Sequence, residues 1–350
     1  RKEVGRRGLG LPVQMRLNRQ AKTSSTDFLP MYFTNPGQAA VDALGTTVTA
    51  TTIGNNSSFV PAYDAAGFNG ANVVGFMPYG TSKYNGLQTS LKRSFSNGLQ
   101  FQASWTWSHA MDNSTADVFS TYLTPRRPQD FQCFQCDWSN SALNRAQRLT
   151  VEMLYDMPFL KHSDNWMAKN LLGNWQVSPA YTFQSPEYVT VQTGSDVNGN
   201  GDSAGDRVFI NPAGIKGTGT GSTALTNTAG DVVAYVANSP TAYYVSAGKY
   251  TRPNARRNTL GMPHTNTFDF SVLKRINIAE TQSLEFQAQF LNFFNHAQYL
   301  PGYLSDVAPI GYTGSNVLPM LEPTSPTFND PKAVFSNHPR AVTLVLKYTF

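Results

Sequence analysis

The sequence predicts an all-β fold: an antiparallel up-and-down transmembrane β-barrel, here a partial barrel of about eight strands, with long loops at one end and short turns at the other. Three observations predict it. The last ten residues, AVTLVLKYTF, alternate with period two: Val342, Leu344, Leu346, Tyr348 and Phe350 are apolar, Thr343, Lys347 and Thr349 are polar, and Val345 is the exception. On the edge of a soluble sheet such a strand invites aggregation, whereas in a barrel wall its apolar face meets lipid and its polar face the lumen. Composition is the second observation. Charged residues make up 14% and aromatics 12%, with 27 Gly and 21 Pro, which favours strands and loops over helices. No run approaches the ~18 apolar residues of a spanning helix, so a membrane would be crossed by strands. The third observation is the order of connections, which alternates long and short along the chain.

The strands follow in order. The first is expected near residues 9–17, where Leu11, Val13, Met15 and Leu17 alternate with polar residues. A Thr-, Asn- and Gly-rich stretch to about Gly80 reads as a loop. Strands near 83–95 and 99–109 flank Ser96-Asn97-Gly98, a tight-turn signal because Asn and Gly accept positive φ. The second of these is the cleanest: Leu99, Phe101, Ala103, Trp105 and Trp107 oppose Gln100, Gln102, Ser104, Thr106 and Ser108. After a polar loop over 110–145, strands are expected near 147–157 and 174–192, the latter weakened by Pro179. Residues 193–264 read as a third long loop. Strands near 266–278 and 283–295 surround a short turn, and the strand near 340–350 ends the chain.

Several function classes find little support. A formal charge of +5 suggests an acidic partner, but the cationic pairs Arg6-Arg7, Arg126-Arg127 and Arg256-Arg257 fall in expected loops or loop edges, with no basic stripe carrying stacking aromatics. No nucleic-acid partner is expected. His109, His162, His264, His296 and His338 are dispersed without ligand spacing, and no nucleophile elbow or phosphate-cradling loop occurs. No enzymatic activity is expected. The opening RKEVGRRGLG has a basic start without an apolar run behind it, so it reads neither as a signal peptide nor as an anchor. The chain reads as a fragment.

Two loop motifs stand out. Cys133 and Cys136 form a CxxC without a second pair at zinc spacing, and a local disulfide stiffening an external loop is the better reading than metal or redox chemistry. Asp196, Asn198, Asn200 and Asp202, with Gly201 at the turn, match the first half of an EF-hand-type calcium loop. The match departs at its twelfth position, where Arg207 replaces Glu beside Asp206, and the same residues also suit ordinary turns. Calcium as a loop-ordering ion is the one candidate cofactor. Trp107, Tyr155, Trp175 and Tyr299 suit an interfacial aromatic girdle better than a sugar site.

The segments YNGLQTSLKRSFSNGLQFQASWTWSHAMDN, NRAQRLTVEMLYDMPF, RRNTLGMPHTNTFDFSVLKRINI and LEFQAQFLNFFNHAQY, followed by the terminal Phe350, resemble the C-terminal barrel of TonB-dependent outer-membrane receptors, in particular the Oar-like subgroup whose members carry a carboxypeptidase-regulatory-like module. The resemblance spans roughly residues 80–350. It implies a plugged barrel of about 22 strands, of which this chain supplies about the last third, the plug domain, coupling box and signal peptide lying outside it. It further implies an outer-membrane location, coupling to the TonB–ExbB–ExbD complex, and uptake of a bulky ligand such as an oligosaccharide or siderophore. Leu344, Leu346, Tyr348 and Phe350 resemble the signal read by the barrel assembly machinery. A surface adhesin or structural barrel is the alternative; a secreted carbohydrate-active enzyme lacks a nameable acid–base pair.

Overall fold

A computed structural model describes residues 2–114, 127–203, 205–279, 281–299, 319–333, 336–337 and 339–350. Arg126 and His338 lie outside them. Eight long strands, β1 (Lys2–Arg16), β2 (Val74–Ser96), β3 (Leu99–Asp112), β4 (Gln147–Asp156), β5 (Trp175–Gln184), β6 (Thr265–Asn277), β7 (Ser283–Leu291) and β8 (Ala341–Thr349), form one antiparallel sheet. They pair in sequence order, with β1 and β8 at its edges. No helix among the described residues is long and apolar enough to cross a membrane.

Register turns the alternation of each strand into two continuous faces, since a slip of one residue would exchange them. Trp105 faces Leu149, and Leu149 faces Phe183. Val151 sits between Ala103 and Tyr181 on the same face. On the other face Ser104, Thr150 and Thr182 align, as do Thr106, Arg148 and Gln184. The pattern reaches the final strand, where Leu284, Phe286, Ala288 and Phe290 face Tyr348, Leu346, Leu344 and Val342. The apolar face is bare: Leu91 is 62% and Leu346 68% exposed. An exposed apolar surface of this extent is what a wall in contact with hydrocarbon requires.

The turn between β2 and β3 has Asn97 at φ 51° and Gly98 at φ 78°. Gly98 is also held by space, because a Cβ there would meet the Asp156 carbonyl oxygen at 2.6 Å. Pro179 lies in a central strand, and its missing N–H shows: the pairing of β5 with β4 is interrupted at Met153 and Leu154, although the register resumes unchanged. Near the end of β6, Lys274 breaks the apolar face. Its ammonium donates to the Gly173 carbonyl in the β4–β5 connection and lies 4.8 Å from the Trp175 ring centre. A lysine can reside on this face because its stem stays apolar while its head reaches the strand end.

Several strand limits differ from expectation. β7 ends at Leu291 rather than 295, since its ladder with β8 stops at Ala341, and β3 runs on to Asp112 rather than 109, since β2 continues to pair with it. β1 starts at Lys2 rather than near residue 9, so Arg6 and Arg7 are strand residues opposite Tyr84 and Lys83. Charges and glycines hid its alternation, but β2 offers a partner ladder over the whole length. β2 in turn starts at Val74 rather than 83, because residues 75–80 pair with residues 11–15, with register shifts on either side of Leu11. β5 ends at Gln184 rather than 192; beyond it Tyr188–Val189 pairs instead with Leu260–Gly261.

The larger difference lies in the long connections, which were expected as loops. Residues 17–73, 113–146, 185–264 and 292–340 depart from the same end of the sheet, and their described parts pack into a cap with cores of its own. One core joins Val189, Val191, Val208, Tyr244, Leu260 and Met262 to Met320 and Leu321. A second groups Val197, Phe209, Val245 and Ala247 with Met31 and Phe33. A third sets Leu29 and Ile53 against Tyr250. Short strands run through this cap: Ser222–Thr226 pairs with Val232–Ala237, which runs parallel to Met31–Tyr32, while Ala242–Val245 lies between Ile215–Thr220 and Phe209–Ile210. Where connections leave the sheet, asparagine side chains replace the strand ladder. Asn18 donates to the carbonyls of Phe68 and Ala71 and accepts from Val73 N–H, and Asn113 accepts from Thr81 N–H.

Candidate functional site

The cap is the part of the molecule with chemistry to offer. Its best-buried polar groups lie where the connections meet. Arg257, from residues 185–264, reaches β3: its guanidinium bonds both the carboxylate and the carbonyl of Asp112 and donates to the Asp137 carbonyl at 3.1 Å. The Arg257 carbonyl accepts from the Ser139 hydroxyl. Three chain segments are thereby tied through one side chain.

Cys133 and Cys136 are joined as a disulfide with Cα atoms 5.4 Å apart. The bridge encloses the start of a single 3₁₀ turn, Phe134–Asp137, which carries Asp137 inward. There the Asp137 carboxylate lies 2.5 Å from the Arg207 guanidinium as an ion pair, with both side chains buried. Trp138 and Gln135, beside the bridge, line a cleft of about 630 Å³ against Arg6, Arg7, Lys83 and Asn85 of β1 and β2. Its wall is cationic with one indole.

The segment 196–207 forms a tight loop around its own first side chain. Asp196 accepts backbone N–H bonds from Gly199 (2.8 Å) and Asn200 (3.1 Å) through Oδ1 and from Gly201 (2.8 Å) through Oδ2. Asn198 Oδ1 accepts from Asn200 N–H, and Asn200 Oδ1 from Asp202 N–H. Gly201 has φ 79°, a left-handed conformation that glycine adopts without a Cβ penalty. Both amide nitrogens, of Asn198 and Asn200, donate to the Gln129 carbonyl at 2.6 and 3.0 Å. Asp202 turns away from the others: Arg127 grips its carboxylate with two bonds and Arg16 lies 3.4 Å off. Asp206, which sequence reasoning placed only beside the loop, is fully buried. One of its oxygens accepts from Val197 N–H and the other has no partner. Burial first, and then the nearby Asp196 and Asp202, push its carboxyl well above the ordinary carboxylate range.

Among the described residues no three His, Cys, Asp or Glu groups converge on a metal-sized centre, so any ion here would draw on amide oxygens as well. Of the histidines, His109 faces Asn140 at 3.0 Å, His264 packs on Phe183, and His296 contacts Gln298. Among the aromatics, Trp107, Tyr155 and Trp175 lie near ends of β3, β4 and β5. Tyr299 does not join them, because its short pairing with Ser336 brings it against the first cap core.

An open antiparallel wall with one bare apolar face, one polar face and all long connections at one end agrees with the comparison with known families. The sequence model of the outer membrane beta barrel domain matches residues 4–316. The chain belongs to this family. The outer membrane is accordingly where this barrel domain resides, and the cap crowns one end of its wall. No curated protein and no solved structure matches the chain.

Proposed function

We propose that this outer membrane beta barrel domain is part of a TonB-dependent receptor of the Oar-like kind, taking up a bulky ligand such as an oligosaccharide or siderophore, and that it performs no catalysis. The observation that carries the reading is the cap: three outer connections share cores and ion pairs tie the fourth, residues 113–146, to them, so together they present one shaped surface above a polar wall. A barrel that needed only to sit in the membrane would gain nothing from ordering some two hundred loop residues, each costing about 1–2 kcal/mol of backbone entropy. On this reading the cap captures the ligand. Inward Gln, Ser, Thr and Arg side chains such as Gln102, Ser104, Thr150 and Arg148 line its path. The TonB–ExbB–ExbD complex supplies the energy, and the barrel assembly machinery reads Leu344, Leu346, Tyr348 and Phe350 at the carboxy-terminus.

The test compares cells with and without the gene for accumulation of a panel of labelled oligosaccharides and ferric chelates, before and after a protonophore. The expected result is one substrate class whose accumulation needs both the gene and the proton-motive force, while its surface binding needs only the gene. Gene-dependent surface binding with no energy-dependent accumulation would overturn uptake and favour adhesion.

A further inference from the structure

We propose that the 196–206 loop binds one calcium ion through the carboxylates of Asp196 and Asp206 and the side-chain oxygens of Asn198 and Asn200. Asp202 serves instead as the anchor that ties the loop to Arg127 and Arg16. The assignment does not rest on the transport reading.

One orphaned oxygen points to a ligand. Asp206 is fully buried and accepts from Val197 N–H of the loop through one carboxylate oxygen, yet the other has no partner. A buried carboxylate with half its acceptors unused is costly unless a cation offsets it. Protein cations offset it only in part. Arg207 next to it lowers the cost, but its guanidinium is paired with Asp137, and Arg127 and Arg16 are paired with Asp202. Burial and the negative charge of Asp196 and Asp202 outweigh Arg207 at Asp206.

The loop is also arranged to present oxygen. With both Asn nitrogens held by the Gln129 carbonyl, the oxygens of Asn198 and Asn200 are turned to the loop interior. Asp196, gripped by three backbone N–H groups, sits at the same interior. Two carboxylates would balance a divalent ion's charge. An all-oxygen set of mixed carboxylate and amide donors on an irregular loop suits calcium, which accepts six to eight ligands in loose geometry, better than magnesium, which demands an octahedron and keeps its water. Without imidazole or thiolate the set does not suit zinc or copper.

The intact protein, purified in detergent and stripped with a chelator, is titrated calorimetrically with calcium chloride and separately with magnesium chloride. Limited proteolysis of the cap is followed in parallel. One saturable calcium site is expected, with Kd on the order of 10⁻⁴–10⁻³ M as in extracellular calcium modules. Asp206→Asn and Asp196→Asn should each weaken it about tenfold or more, because each removes one charged ligand. Calcium should protect the wild-type cap from protease. Asp206→Asn should be at least as resistant as wild type in chelator, since it loses the buried charge, and should ignore added calcium; a merely structural Asp206 would instead make the variant more sensitive in both conditions. Absence of a saturable calcium signal, a calcium titration unchanged in both variants, or equal binding of magnesium would each overturn the proposal.

Discussion

Arg257, 2% exposed, holds the carboxylate of Asp112 at the end of β3, 145 residues away in sequence. Among the described residues the pair is the one point where a buried cation from the longest outer connection grips the barrel wall itself. It ties the cap to the end of β3.

Replacing Arg257 by Met leaves the Asp112 carboxylate buried without its guanidinium. Loss of one partner of a buried pair costs about 3–5 kcal/mol. The cap of Arg257→Met should therefore become protease-sensitive, while the wall keeps the gel shift on heating that marks a folded barrel. Cap resistance equal to wild type would show that the pair contributes little.

The disulfide closes only a four-residue loop, so its chain-entropy contribution is about 2 kcal/mol. Cys133→Ser with Cys136→Ser should loosen the 3₁₀ turn that positions Asp137 against Arg207. The expected readout is faster proteolysis around residues 127–146 with no change in barrel assembly.

Val151 and Thr150 are neighbours on opposite faces of β4. Val151→Arg should destabilise the wall by about 2–4 kcal/mol, the cost of a cation against lipid near mid-membrane. Thr150→Arg, beside Ser104 and Thr182, should be tolerated. Denaturant unfolding in lipid vesicles separates the two, and equal losses would mean that the faces are assigned wrongly.

Gly98 turns the chain between β2 and β3 in a conformation that costs other residues about 1–2 kcal/mol. Any Cβ at this position also collides with the Asp156 carbonyl, and Gly98→Val adds two γ-carbons to that clash. The yield of folded barrel should fall, and Gly98→Ala should fall less, because its side chain is smaller at the same φ.

The wall was legible in the sequence because alternation is a local property. Trp105 and Trp107 opposite Ser104 and Thr106 declare a two-faced strand without knowledge of any neighbour, and Asn97-Gly98 declares a turn. Strands lacking that contrast were not legible in full: the first half of β1 carries arginines and glycines, and its strand conformation is imposed by β2. The cap strands were overlooked because DVVAYVA and TAYYV are short, unbroken apolar runs within Gly- and Thr-rich sequence. Such runs are consistent with fully buried strands, and Val233 and Val245 are buried, but the partner Met31–Tyr32 lies some two hundred residues away.

The sequence by itself determined that strands would cross a membrane, which face meets lipid in the strands with clear alternation, where Asn97-Gly98 turns the chain, and that Cys133 and Cys136 lie close enough to bridge, because each of these depends on residues within a few positions of one another. Only the tertiary structure decided that three separate connections share cores while ion pairs tie residues 113–146 to them, that Arg257 reaches Asp112, and that Asp202 is drawn to Arg127 and Arg16 while Asp206 is left buried beside Asp196. Those choices depend on which distant groups arrive at the same place, and burial then enforces them, since a charge removed from water must meet a partner or remain at a cost.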